Sequence, residues 1–384
     1  MDKSASWHGY VATFCGISMV VIGGVLALNY QVDPYLIHQW ETPPVQRLLP
    51  GREKLSPWGK TYALAQYRPD ILYIGNSRTE LGLPVRMPLF GTRRVFNGGL
   101  SGATLADAAA MVRHVVAIHP PGTVVWGIDA PSFSMEVGNT DFNRELVAAI
   151  SYRRQLLNLK RALSLDMTLD SIRVLRGTFG QVCLSSLALF GQRDGRCVLD
   201  RITRLGGTGA VILPRVQDFV RGPGPTPDAM REFDHSVGEL CQAGTQLRLY
   251  INPTHAMTSD ALFWAGRWPA LEHWQLELVT LVARYQKLGC DVQLFDFSGF
   301  NSITTEPPPQ LSGQAEMQNY WEPSHYRVTV GRMVLTRLFG AGSSEFGVEL
   351  TPASLAAHQS AQRQARDRYH RVHPVETAMV RSIL

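Results

Sequence analysis

The residues whose types and spacing suit covalent chemistry in this chain are Ser77, Glu322 and His325. Ser77 ends "ILYIGNS", where an apolar run stops at a glycine and an asparagine, while Glu322 and His325 stand three apart in "WEPSHY" around Pro323. A serine hydroxyl is a weak nucleophile until a base takes its proton, and the base needs a partner that fixes its tautomer. Serine, histidine and glutamate fit those roles, and the chemistry would be attack on an acyl ester, giving an acyl-enzyme. The oxyanion of that attack needs backbone and side-chain donors. Gly99 and Asn97 in "NGGLSG" offer both, and Asn76 either adds a side-chain donor or simply tolerates the turn's backbone geometry.

Other polar residues compete for roles at the same place. Arg78, next to the serine, either holds an anionic group or pairs with Glu80 or Asp129 at the surface. His255 in "NPTH" is the rival base, but Pro253 and the lack of a nearby acid point to substrate contact or packing. His114, His119, His235 and His273 have no ligand-like partners, so no metal and no nucleotide cofactor is expected.

The elements that must bring these residues together are short apolar runs at Ile71 to Ile74, Arg94 to Phe96, Thr123 to Gly127, Gln246 to Ile251 and Asp291 to Phe295. Each is preceded by a potential helix, an alternation that means an α/β fold with a parallel sheet flanked by helices. In such a sheet the ligand lies beyond the carboxyl ends of the strands, near the switch in strand order. Ser77 with Asn76 and Arg78, Gly99, Asp129, His255 and, beyond the fifth run, Glu322 and His325 all follow one. The body is expected over 62–345, after a Pro-rich neck at 31–61, with a long helical insertion at about 134–243 that either shapes a cleft or makes a subunit contact. The tail, 346–384, reads as a polar, solvated helix.

"GNSRT", "NGGLSG" and "EPSHY", in this order, resemble the first, second and fifth blocks of the SGNH/GDSL hydrolase superfamily. The likeness is to its membrane-anchored bacterial branch associated with polysaccharide O-acylation, and it covers most of Arg68 to Phe339 apart from the insertion. It implies an SGNH-like fold with flavodoxin-like strand order, Ser77 as nucleophile, Gly99 as oxyanion donor, and Glu322 and His325 as acid and base. Two positions depart from the pattern. Asp129 in "GIDAPSF" stands where a neutral oxyanion asparagine is usual, and Glu322 replaces an aspartate. An ionised Asp129 either points away, binds something or reflects lost hydrolysis.

Val11 to Leu28 carries no charge over eighteen residues, at the lower end of what a helix needs to cross about 30 Å of hydrocarbon. Without a convincing small-residue cleavage site it reads as an uncleaved anchor, 1–30, in the inner membrane. Lys3 before it, and Asp33 and Glu41 ahead of Arg47 after it, put the body in the periplasm. The net charge of +5 comes without basic runs or interleaved aromatics, which excludes a nucleic-acid footprint. Cys15 lies in the anchor, and Cys183, Cys197, Cys241 and Cys290 allow a disulfide without demanding one. The expected function is a periplasmic O-acetyltransferase or esterase acting on a polysaccharide, with an acyl-donor protein or other membrane subunits as partners. The alternative is a non-catalytic polysaccharide-binding or scaffold subunit that keeps the fold, and a plain surface esterase stands third.

Overall fold

Strands buried on both faces need unbroken apolar runs, and Ile71–Ile74 and Thr123–Ile128 are buried along their whole length. The computed structural model describes residues 3–38, 54–136, 138, 142, 144, 151–178, 185–186, 189–313, 315–342 and 345–384. Glu41, Arg47 and Cys183, and the middle of the expected neck, 39–53, lie outside them. The main sheet contains β1 (Ile71–Ile74), β2 (Val95–Asn97), β3 (Thr123–Ile128), β4 (Gln246–Ile251), β5 (Val292–Asp296) and β6 (Val348–Glu349). Five strands run parallel in the order 2-1-3-4-5, and β6 adds an antiparallel edge on β5. Strand order reverses between β1 and β3, and the register aligns Ile74 with Trp126, and Ile128 with Ile251. The loops after these strands therefore open at one edge of the sheet.

Helices α1 (Lys3–Val32), α2 (Pro57–Tyr67), α3 (Ser77–Gly82) and α4 (Leu105–Ile118) are followed by α5 (Tyr152–Ala162), α6 (Leu165–Leu175), α7 (Gly195–Arg204), α8 (Thr208–Arg221) and α9 (Pro227–Gln242). Beyond β4 come α10 (Ala256–Trp264) and α11 (Trp268–Lys287), then α12 (Val328–Leu338), α13 (Leu355–Val372) and α14 (Pro374–Arg381). One face of the sheet packs Trp126 against Phe233 of α9 and, beyond Phe133, Trp274 of α11. The other packs Tyr73 and Tyr250 against Tyr326 and Val330 of α12. Cys241, ending α9, is disulfide-bonded to Cys290 before β5 with 5.5 Å between Cα atoms, and Cys197 is also in a disulfide.

Three boundaries differ from the sequence reading. The body starts before residue 62, because α2 buries Trp58, Lys60 and Thr61. The insertion ends before α9, whose Phe233, Val237 and Leu240 belong to the main core and which supplies the crossover between parallel strands. The tail is packed on the body along one face rather than wholly solvated: β6 joins the sheet, and Leu355, Tyr369 and Val380 are buried. Its polar pattern concealed this because two of its histidines are paired with acids of the body. His358 Nε2 lies 2.8 Å from Asp296 Oδ2, and His370 Nε2 2.6 Å from Asp260 Oδ1.

His358→Ala should lower stability by about 3 kcal/mol in urea denaturation, because it strips a buried carboxylate of its cation. Burial pushes the His358 pKa down, but Asp296 outweighs it and raises the pKa above 6.5. Its contribution is then full below pH 6.5 and is lost as pH rises through the elevated folded value, so the gap between wild type and variant should narrow in alkali. Equal stability of the two at pH 6 would return the tail to solvent.

Candidate active site

At the end of β1 the chain turns in three residues. Gly75 has φ of +149°, and a Cβ there would stand 2.3 Å from Thr79 Oγ1 and 2.9 Å from the Gly127 carbonyl, so only glycine fits. Asn76 caps α3, its Oδ1 accepting the Arg78 amide at 3.0 Å. Ser77 is thus the first residue of α3, with a backbone amide that has no acceptor within its own helix.

Ser77 Oγ lies 2.7 Å from Nε2 of His325. Residues Tyr320–Glu322 and His325–Tyr326 form a short antiparallel pair whose turn is Pro323 and Ser324, and Glu322 is directly opposite His325. Glu322 Oε1 is hydrogen-bonded to His325 Nδ1, and Oε2 accepts the Ser324 amide at 2.8 Å. Burial pushes the Glu322 pKa up, but the charge and hydrogen bond of His325, the Arg215 guanidinium and the Ser324 amide outweigh it, holding it at about 2. An ionised carboxylate only accepts, so Nδ1 carries the proton and Nε2 is left to accept from Ser77. The arrangement can take a proton from the serine and stabilise the resulting imidazolium.

Ser77 and His325 open into a cleft of about 310 Å³. Ser101 and Gly102 line one side, and α7 and α8 of the insertion wall the other with Arg201, Ile202, Val211 and Arg215. The insertion therefore shapes a cleft. Arg215 of α8 reaches within 3.8 Å of Glu322.

The other expected residues sit elsewhere or do something else. Gly99 is not an oxyanion donor, because its amide is given to Asn97 Oδ1 at 3.0 Å. Asn97 turns inward as well, its Nδ2 donating to the Thr79 and Leu83 carbonyls at 2.9 and 3.2 Å. Gly102, three residues on with φ of +70°, is the glycine of this loop at the cleft, and the third glycine of "NGGLSG" was the available signal. Asn76 is no free donor either, because its Nδ2 donates to Asp129 Oδ2 at 2.7 Å. Asp129 is buried and also accepts from Asn252 Nδ2 at 3.1 Å and Arg78 Nη1 at 3.2 Å. Arg78 pairs with Asp129 rather than Glu80, largely buried rather than at the surface, with its guanidinium 5.1 Å from the Phe219 ring centre. His255 is a core residue: Nδ1 accepts the Met257 amide, Nε2 meets the Glu306 carbonyl at 2.6 Å, and burial drives its pKa down to about 4. Among the described residues no group of His, Cys, Asp and Glu could hold a metal ion.

Sequence reading missed the charges around the next turn of α3. Glu80 is buried with Lys60 Nζ at 3.1 Å and Arg193 Nη2 at 3.2 Å, and accepts from Ser101 Oγ at 2.7 Å. Burial pulls the Lys60 ammonium down to about 8 against the opposing pull of Glu80. No spacing rule marks these residues, since Arg193 comes from the insertion.

Two consequences can be measured. Asp129→Asn should cost about 3 kcal/mol of unfolding free energy, since it leaves Arg78 without its buried anion and weakens the bonds from Asn76 and Asn252; a variant as stable as wild type would mean that Asp129 is not held this way. Glu322 has a folded pKa of about 2 against 4.5 for the free side chain, so its stabilisation is present above pH 4.5 and is lost as pH falls through 2. Between pH 6 and pH 3 the wild type should lose about 2 kcal/mol more than Glu322→Gln, and parallel pH curves would contradict the ionised form.

Comparison with protein-family models and with curated proteins finds no match to this chain.

Proposed function

We propose that this chain is a serine-dependent acyl-ester enzyme, held to a membrane by α1 with its α/β body on the periplasmic side, acting on acyl groups of a cell-surface polysaccharide. The observation that carries the reading is the run of contacts from Ser77 Oγ to His325 to an ionised, buried Glu322 at the carboxyl edge of a parallel sheet. His325 takes the serine proton as Ser77 attacks the ester carbonyl, then returns it to the leaving alcohol. The acyl-enzyme passes its group to water or, in the transferase form, to a sugar hydroxyl. Backbone amides of Ser77 and Gly102 take the oxyanion role first assigned to Gly99 and Asn97.

The 2-1-3-4-5 strand order is that of flavodoxin-like sheets, and it supports the SGNH-like reading drawn from "GNSRT" and "EPSHY". The membrane assignment rests on α1, where Trp7–Val32 is long and apolar enough to cross a bilayer. The Cys241–Cys290 disulfide favours an oxidising compartment. The polysaccharide, the acetyl group, an acyl-donor protein and membrane partner subunits come from the SGNH/GDSL resemblance alone. One observation favours the second reading, a non-catalytic polysaccharide-binding or scaffold subunit: Asp129 stands in the place of a neutral donor and ties up the Asn76 amide.

A serine-reactive phosphonate separates the two readings. It should label wild type but not Ser77→Ala, and Ser77→Ala and His325→Ala should each lower turnover of an activated acetyl ester on the order of 10⁴-fold, with the double variant hardly worse. Glu322→Gln should lose less than either, since it keeps shape and removes charge. Absence of both labelling and acyl release, with polysaccharide binding unaffected by Ser77→Ala, would establish the binding subunit.

A further inference from the structure

Helix α5 is inverted with respect to the body it packs on. Its buried face is polar: Asn158 Oδ1 accepts from Trp58 Nε1 at 3.0 Å, and Arg154 lies over the Tyr62 ring at 4.1 Å with its Nε donating to Tyr62 Oη. Its outward stripe is apolar, with Tyr152, Leu156, Leu159 and Leu163 at steps of four, three and four, all exposed, Tyr152 by 73%. Leu165, exposed by 72%, and Leu169 continue the apolar surface onto α6. In water such a face would be left uncovered.

Contacts at the end of α1 say what covers it. From Trp7 to Leu28 the helix spans about 33 Å, close to the hydrocarbon thickness of a bilayer. The next residue, Asn29, is buried against the α5–α6 hairpin. Its Nδ2 donates to the Ala162 carbonyl at 2.8 Å and to Thr168 Oγ1 at 2.9 Å, and its Oδ1 accepts from Ser171 Oγ at 2.8 Å. The hairpin is therefore fixed at the level where the apolar segment ends. Leu26 and Ala27 of α1 share a groove of about 480 Å³ with Leu159 and Ala162 of α5, so the apolar surface continues from one helix to the other. Beside the leucines stand exposed Arg153, Lys160, Arg173 and Arg176, whereas the two acids of the hairpin are Asp166 and Asp170, the latter paired with Arg173 at 2.7 Å.

We infer that α5 and α6 form a second, monotopic membrane contact, with the leucine stripe sunk among acyl chains and the basic residues on anionic lipid headgroups. The inference rests on α1 spanning the bilayer, and does not depend on which side the body occupies. The hairpin adds an interfacial foot to the single anchor and fixes the body's tilt on the surface.

The test uses the full chain, one copy per nanodisc of phosphatidylcholine and phosphatidylglycerol. Cys15, free among the described cysteines, is first replaced by serine. An environment-sensitive fluorophore is then attached through Val20→Cys in the anchor, Leu156→Cys or Leu159→Cys on the stripe, or Leu288→Cys, an exposed leucine after α11. Nitroxide-labelled phosphatidylcholine should quench positions 156 and 159 at least about threefold more than position 288. Quenching at 20 but not at 156 and 159 overturns the foot and leaves the anchor standing. No quenching at 20 overturns the anchor and the foot together. A two-copy disc giving blue-shifted emission at 156 that lipid nitroxide cannot quench would mean that a second chain covers the stripe, and this too overturns the proposal.

Discussion

The structure around Ser77 depends on one buried carboxylate. Glu80 sits one turn after Ser77 and is 3% exposed, a position that an isolated anion could not hold. Burial alone would raise its pKa, but Lys60, Arg193, Ser185 and Ser101 together keep it low and ionised. These partners come from α2, the insertion, which supplies both Arg193 and Ser185, and the loop after β2, so one charge fastens three separate segments to the short helix that carries Ser77. Lys60 also donates to the Gly99 carbonyl, which orients the loop presenting Ser101 and Gly102 to the cleft. Six residues of helix have little stability of their own. The direction of Ser77 is imposed by this ionic fastening below it and by the Gly75 turn above it.

A second carboxylate works on the other side of α3. Asp129 gathers Asn76, Arg78 and Asn252 from the loops after β1 and β4. Asn252 continues the connection, its Oδ1 accepting from Tyr326 Oη at 3.0 Å, and Tyr326, Tyr250 and Thr79 are linked in turn at 3.2 and 3.0 Å. The path begins and ends on α3 and passes the residue after His325. An acid at position 129 thus has a mechanical explanation: it closes a hydrogen-bonded loop beneath the site, and its charge is met by Arg78 and two amides rather than turned on the cleft.

What could be read from sequence divides along physical lines. β1 and β3 were legible because strands covered on both faces show as continuous apolar runs, and the residues ending the parallel strands were legible because such sheets put their loops at one edge. Ser77, Glu322 and His325 belong to that class. β6 was not legible, since two residues carry no period. The tail was misread because His358 is buried against Asp296 and half-buried His370 is hydrogen-bonded to the buried Asp260, and a polarity pattern cannot tell such a packed pair from a solvated face. Gly99 and Asn97 were placed in the right loop but on the wrong side of it, because backbone torsions decide which amide faces the cleft. Lys60, Arg193 and Arg215 act through contacts between distant segments, and no local rule reports those.

The insertion is part of the site rather than an ornament beside it. It supplies Arg215 to Glu322, Phe219 to Arg78 and Arg193 to Glu80, so each of the three carboxylates that orient the site, directly or through its arginine, has a partner between α6 and α9. Without those groups Glu322 would keep its hydrogen bond to His325, but it would face solvent where α8 now stands, and the high dielectric there would weaken its hold on the ring. The same segment begins with the α5–α6 hairpin on which Asn29 of α1 is fastened. A single stretch of chain thus supplies the contacts to the apolar helix α1, to the cleft wall and to the carboxylates around Ser77.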